Sequence, residues 1–317
     1  MDGSIQPTLL SDTRGILDAR ELPSAEFSAL WDAILLPQEL KDRLLSQAIL
    51  NFTLRGRLDR ATVPLHGVIV LVGPPGTGKT SLARGLASRT AECVESDIPF
   101  RFIEVEPHAM ASAALGRSQQ AVKQLLGSVI AEQAAASPLI VVLDEVETLA
   151  ADRVKLSMDT NPIDVHRATD AVLAQLDHLA ARFPNLLFIA TSNFPDAIDS
   201  AFLSRADSVE YIPLPDREAC KRILSGTVLA LAGLYPPVAA ILDDPLFEEA
   251  CIQCEGLDGR RIRKALIYAC SQDKNVAIAP ETLNATHLLA AVRAFQSATA
   301  GAEYRSPARS TERNSPQ

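Results

Sequence analysis

Five short and nearly unbroken apolar runs punctuate the first two thirds of the chain, at residues 67–72, 100–105, 139–143, 186–191 and 208–212. Runs of this kind suit strands buried on both faces of a parallel sheet, since the crossover helices that join such strands cover both sides. The intervening segments supply those helices. Upstream, Phe27, Leu30, Trp31, Ile34 and Leu35 recur at helical spacing. Pro37 then opens a second helix with Leu40, Leu44, Leu45, Ala48, Ile49 and Phe52 on one face. Beyond Pro213 and Pro215 the strand pattern stops, and residues 219–231, 245–254, 259–270 and 286–295 read as helices. The pattern predicts an α/β domain with a parallel sheet over residues 25–215 and a small helical domain over 216–298. Residues 1–24 mix polar types without periodicity and are expected to be a flexible arm; residues 299–317, rich in Ser, Arg, Pro and Thr, are expected to be a disordered tail.

Composition narrows the class. The chain has 317 residues, 47% hydrophobic and 22% charged, enough for a sizeable core and consistent with two domains. With 30 basic and 39 acidic side chains the net charge is −9, which argues against sequence-independent nucleic-acid binding. Five scattered cysteines suit a reducing compartment. Cys251 and Cys254 have a C-x-x-C spacing but no second ligand pair, so they are read as packing residues. The N-terminus lacks a basic stretch followed by an apolar one, and no apolar run reaches the ~18 residues of a membrane span. These features predict a soluble, cytoplasmic protein.

The first chemistry lies at Gly73-Pro74-Pro75-Gly76-Thr77-Gly78-Lys79-Thr80, directly after the first apolar run and before a helix. Glycines let the backbone curl so that successive N–H groups face a phosphate at the helix N-terminus. Lys79 is expected to reach the β- and γ-phosphates, and Thr80 to give its hydroxyl to Mg2+, with Ser81 completing the cradle. The run at 139–143 ends in Asp144 and Glu145. Asp144 is expected in the metal sphere and Glu145 to polarise the attacking water, a role closed to a carboxylate engaged by metal.

Three further positions extend the site. Asn193 closes the fourth apolar run, where a neutral amide orients water beside the γ-phosphate without adding charge. Arg205 follows a short helix at a place where oligomeric P-loop ATPases meet a neighbouring subunit, which suits an arginine finger acting in trans. The alternative is a surface arginine paired with Asp207. Arg260 opens a helix, where a cation gains nothing from the helix dipole and a nucleotide contact would explain it. Arg260, Arg261, Arg263 and Lys264 alternatively form a basic cluster for nucleic acid.

These residues resemble an AAA+ ATPase, and the resemblance extends to the pachytene checkpoint protein 2 family, also called thyroid hormone receptor interactor 13. It is carried by Leu30-Trp31-Asp32, Thr80-Ser81-Leu82, Asp144-Glu145-Val146-Glu147, the stretch from Thr169 to Asp177, Thr191-Ser192-Asn193, Phe202 to Asp207, and Glu255 to Arg260. It spans residues 30–295. The resemblance implies a five-stranded parallel sheet of order 5-1-4-3-2 with a helical lid, and a homo-hexameric ring that hydrolyses ATP with Mg2+. It also implies a HORMA-domain client, converted from its closed, partner-bound form to the open one. On that analogy Lys79, Thr80, Asp144 and Glu145 form the ATPase core, Asn193 is sensor 1, Arg205 the finger and Arg260 sensor 2. Short relatives of this kind occur in bacterial antiphage operons that signal with cyclic oligonucleotides, beside a HORMA protein and its bound nucleotidyltransferase. Only ~30 residues precede the ATPase here, too few for an independent client-docking core. Residues 108–117 fall where hexameric unfoldases present a channel loop, and with no aromatic there, Met110 or Leu115 would grip the client. A second channel loop is expected within 151–164. The rival readings are a remodeller of another protein client and an ATP-gated loader or scaffold that threads nothing.

Overall fold

Within the segment expected to be a flexible arm, Ile16–Leu22 forms a strand, β1, with its ends buried and its middle polar. It is followed by helices α1 (Ala25–Ala33) and α2 (Gln38–Thr53) and by β2 (Val68–Val72), α3 (Lys79–Cys93) and β3 (Phe100–Val105). Next come α4 (Ser118–Gln124), a π-helical segment (Leu125–Ile130) and α5 (Ala131–Ala136), then β4 (Leu139–Leu143), α6 (Pro162–Arg182) and β5 (Leu186–Ser192). A helical turn α7 (Ser200–Leu203) and β6 (Ser208–Tyr211) complete the first of two compact units, Met1–Pro213. This computed structural model describes residue 13 and residues 15–106, 118–148, 150 and 162–303.

The sheet has six strands in the order β1-β3-β4-β5-β2-β6, which corrects the five-stranded, all-parallel expectation and its order. The difference lies at one edge. There β1 runs antiparallel to β3, with Ala19 opposite Ile103 and Arg20 opposite Phe102. The pairs β3·β4, β4·β5, β5·β2 and β2·β6 are all parallel. Because β1 comes first in the chain, every later strand moves up one in number. A polar strand such as Ile-Leu-Asp-Ala-Arg-Glu-Leu lacks the apolar run that marks a central strand, and only pairing with β3 makes it one.

Alternation along the strands sorts the core into two faces. Val68, Val70, Val72, Val141, Leu143, Phe188 and Ala190 pack with Leu126, Ile130, Val172, Leu176 and Leu179 from the helices on one side. Ile69, Leu71, Phe102, Ile140, Val142 and Ile189 pack on the other with Phe27, Trp31, Leu44, Leu82 and Leu86. Each such side chain contributes about 1.5–3 kcal/mol by leaving water. The one acidic side chain buried in β3, Glu104, is met by a bidentate pair from Arg84 of α3, both bonds at 2.7 Å. That pair fastens the helix after the phosphate loop to the sheet.

The second unit, Leu214–Gln317, is helical: α8 (Arg217–Ala232), α9 (Pro245–Gln253), α10 (Gly259–Gln272), α11 (Lys274–Ile278) and α12 (Ala285–Glu303). Asp216, Asp244, Asp258 and Asp273 cap the first four of these helices by accepting backbone N–H groups. Leu224, Val228, Phe247, Ile262, Leu266, Leu288 and Val292 fill its core. Helix α12 runs through Glu303, so the segment expected to be disordered from residue 299 begins as helix. Cys220, Cys251 and Cys254 are buried and free. Burial pushes their thiols up to about 11, about 11 and about 12, as inert packing residues require.

Candidate functional site

The phosphate loop joins the C-terminal end of β2 to the N-terminus of α3. Gly73, Gly76 and Gly78 have φ of 154°, 81° and 89°, values that side chains with a Cβ rarely tolerate. Gly73 is also pinned sterically, since a Cβ there would stand 2.2 Å from the Ile212 carbonyl oxygen. Thr77 Oγ1 donates to the Pro74 carbonyl at 3.0 Å and braces the turn. Pro75 is exposed, while Pro74 and Gly76 are half-buried.

Lys79 is only 5% exposed, and its ammonium donates to the carbonyls of Gly73 (2.9 Å) and Pro74 (2.8 Å). Burial pulls its pKa below the usual lysine value, and Glu147, Asp144 and Glu145 oppose that shift. The ammonium is therefore desolvated beside a glycine-rich turn at a helix N-terminus. That donor set fits an anionic phosphate chain.

Asp144 and Glu145 follow β4, next to the end of β5. Thr80 Oγ1 donates to Asp144 Oδ1 at 2.7 Å, so the two residues expected to serve the metal are already in contact. Thr191 Oγ1 hydrogen-bonds the same Asp144 oxygen and accepts the Glu145 backbone N–H at 3.2 Å. Glu145 itself has φ of 50°, a left-handed backbone in a residue other than glycine. The Asn193 side-chain amide donates to Glu145 Oε1 at 3.3 Å, and the Asn193 backbone N–H donates to Glu147 Oε1 at 3.2 Å. Lys79, Thr80, Asp144, Glu145 and Asn193 thus converge at the C-terminal ends of β2, β4 and β5. Thr191 and Glu147 belong to the same network without having been given roles from the sequence. Their signal was adjacency to Asn193 and Glu145, but hydrogen bonds across strands have no sequence signature.

Arg205 pairs with Asp177 of α6, not with Asp207. The Asp207 carboxylate is taken up by three backbone N–H groups at the start of β2, those of His66 (2.9 Å), Gly67 (2.6 Å) and Val68 (3.1 Å). Arg205 also donates from Nη1 to the Ala201 carbonyl at 2.7 Å. Its guanidinium is 23% exposed. Arg260 is exposed in the first turn of α10, where its backbone N–H and that of Arg261 cap on Asp258 at 3.0 and 2.9 Å.

Met110 and Leu115 lie outside the described residues, as do residues 151–161 of the second expected channel loop; Pro162 to Asp164 begin α6. Among the described residues no helix is long and apolar enough to cross a membrane. No group of three or more His, Cys, Asp and Glu side chains among them is placed to hold a metal ion.

Residues 69–214 match the ATPase family associated with various cellular activities (AAA). Over 280 residues the chain is 55% identical to CD-NTase-associated protein 6 of Pseudomonas aeruginosa, covering 88% of this chain and 92% of that protein. It is 34% identical over 286 residues to the pachytene checkpoint protein 2 homolog of Oryza sativa subsp. indica, covering 80% of this chain and 60% of that relative's length. In fold it is similar to a chain in the structure of the E. coli MS115-1 HORMA:CdnC:Trip13 complex, with a TM-score of 0.70 at 19% identity over 92% of this chain and 97% of that one. The glycine-rich loop, the paired carboxylates and the long alignment agree, and the chain belongs to the AAA ATPases, alongside CD-NTase-associated protein 6 and the pachytene checkpoint protein 2 homologs.

Proposed function

We propose that the chain is a Mg2+-dependent ATPase that works as a cytoplasmic homo-hexameric ring and converts a HORMA-domain protein from closed to open form. In this reading it takes apart a HORMA complex with a CD-NTase in a bacterial antiphage system. The observation that carries it is the convergence of Lys79, Thr80, Asp144, Glu145 and Asn193 at the C-terminal edge of the sheet. The relatives supply the client, since one is named for association with a CD-NTase and a neighbour in fold was solved with HORMA and CdnC.

Each residue has a task in this reading. Lys79 and the N–H groups from Gly76 to Ser81 bind the phosphates, in a loop shaped by Gly73, Pro74 and Pro75. Thr80 and Asp144 would hold Mg2+, a cation that keeps most of its sphere for water and phosphate oxygens and so needs few protein ligands. When bound, the ion neutralises charge on the transferring phosphoryl group. Glu145 takes the proton of the attacking water while the Asn193 amide fixes its carboxylate. Arg205 serves a neighbour's nucleotide and Arg260 the nucleotide of its own subunit. Met110 and Leu115 contact the client.

The test is capture with the Glu145→Gln variant, ATP and Mg2+, in lysate of the native host. This variant retains nucleotide but hydrolyses it poorly, and a ring with trapped client should be recovered. A HORMA-domain protein in the eluate supports the reading. Nucleic acid in its place, with ATPase activity that it stimulates and salt suppresses, would replace remodelling by a loader.

A further inference from the structure

We propose that Glu147 is a positioning residue for hydrolysis, holding the main chain of Asn193 so that the Asn193 amide reaches Glu145. The proposal rests on the reading of Glu145 and Asn193 as the hydrolytic pair. Asn193 makes two contacts at the end of β5, and they go to two different glutamates. Its side chain reaches Glu145 Oε1 at 3.3 Å, and its backbone N–H reaches Glu147 Oε1 at 3.2 Å. Between the glutamates, Val146 is fully buried and anchors a short 3-10 turn, Val146–Thr148. Thr148 closes that turn with its backbone N–H and its hydroxyl, both donating to the Glu145 carbonyl at 3.0 Å. The turn is therefore a fixed bracket, and Asn193 is registered against both of its arms. A shift of the Asn193 backbone moves its amide off a 3.3 Å contact that has little length to spare.

The other oxygen of the same carboxylate makes the case stronger. Among the described residues, Glu147 Oε2 is buried with no hydrogen-bond partner. A lone buried carboxylate oxygen is costly, and a neutral acceptor would satisfy the Asn193 N–H without that cost. The Glu147 charge also favours the ammonium form of Lys79, as do those of Asp144 and Glu145. Glu147 thus joins the Glu145 turn to the end of β5. Its effect on the reaction passes through Asn193.

The experiment is steady-state ATP hydrolysis by the full chain carrying Glu147→Ala, Glu147→Gln, Asn193→Ala and the Glu147→Ala/Asn193→Ala pair, with KM and kcat separated. Glu147→Ala should lower kcat about 10–100-fold with a smaller change in KM, the scale expected when a reacting group is misplaced. Glutamine offers an oxygen to the same N–H and should rescue kcat to within about threefold of wild type. The double variant should match Asn193→Ala alone, because residues acting through one another are not additive. Wild-type kcat in Glu147→Ala overturns the proposal, as do single defects that multiply in the double variant. Should the alanine variant fail to fold, a Glu147→Gln kcat below a tenth of wild type also overturns it. If Asn193→Ala itself turns over at the wild-type rate, the hydrolytic pair is wrong and this proposal falls with it.

Discussion

Asp177 grips Arg205 side-on, accepting from Nε at 2.9 Å and from Nη2 at 2.7 Å. With Nη1 donating to Ala201, three of the five N–H donors of the guanidinium are used and two stay available. A planar fork fixed along one edge can present the other to an oxyanion, which is how arginine recognises phosphate bidentately. Arg205→Ala should leave nucleotide affinity intact and nearly abolish turnover in the assembled protein. Asp177→Asn keeps one acceptor oxygen and loses the second, and should lower kcat by about 3–10-fold without changing nucleotide affinity. The pair itself contributes no more than about 1 kcal/mol to stability, because Asp177 is 42% exposed. Equal turnover in Asp177→Asn and wild type would show that the grip does not matter.

Thr191 holds two neighbours with one hydroxyl, accepting from the Glu145 N–H and bonding Asp144. Thr191→Val keeps the shape and removes both. The part-buried Glu145 N–H then loses its acceptor at a residue already held at φ of 50°, at a cost of about 1–3 kcal/mol. We expect a lower denaturation midpoint together with a fall in kcat larger than the change in nucleotide affinity. A variant with unaltered stability and turnover would remove Thr191 from the site.

Gly73→Ala tests the loop geometry without touching charge. The new methyl would meet the Ile212 carbonyl oxygen at 2.2 Å, a backbone atom that cannot swing aside. Strain of this kind costs about 1–3 kcal/mol. Chemical denaturation should show that loss, and equilibrium titration with a fluorescent ATP analogue should show weakened binding.

His66 makes stability pH-dependent in a defined direction. Burial and then Arg60 hold its imidazole below the usual histidine pKa, against the pull of Asp207 and Asp177. The unfolded chain takes up a proton near pH ~6.5, which the folded one resists, so stability falls as pH drops from about 7.5 through that value. The pH dependence of Tm between about 7.5 and 5.5 should flatten in His66→Asn, whose backbone N–H still donates to Asp207. A slope unchanged by the substitution would assign the effect to another group.

What the sequence made legible follows from how each feature is held. The parallel strands announce themselves because burial on two faces demands unbroken apolar runs such as Leu139 to Leu143. The phosphate loop is equally plain, since its glycines answer to backbone angles that are local. Strand β1 is hidden because Asp18, Arg20 and Glu21 suit a solvated arm as well as an edge strand, and only β3 decides between them. Arg205 shows the same limit. Asp207 is the nearer carboxylate in sequence, but it is spent on three backbone N–H groups, while the true partner sits 28 positions away on α6. Thr191 and Glu147 were visible as letters beside the site, yet their bonds cross from one strand end to another.

The Asp207 clamp ties together two places that otherwise look unrelated. β2 starts at backbone N–H groups gripped by Asp207, two residues after Arg205, and ends in the loop that holds Lys79. Five extended residues make a rod of about 17 Å, stiffened by a strand on either side. The carboxylate two residues after Arg205 thus holds one end of a strand whose other end runs into the loop carrying Lys79. In the ring proposed above, the arginine a subunit would offer next door and the loop that would hold its own nucleotide are therefore built on the two ends of a single strand.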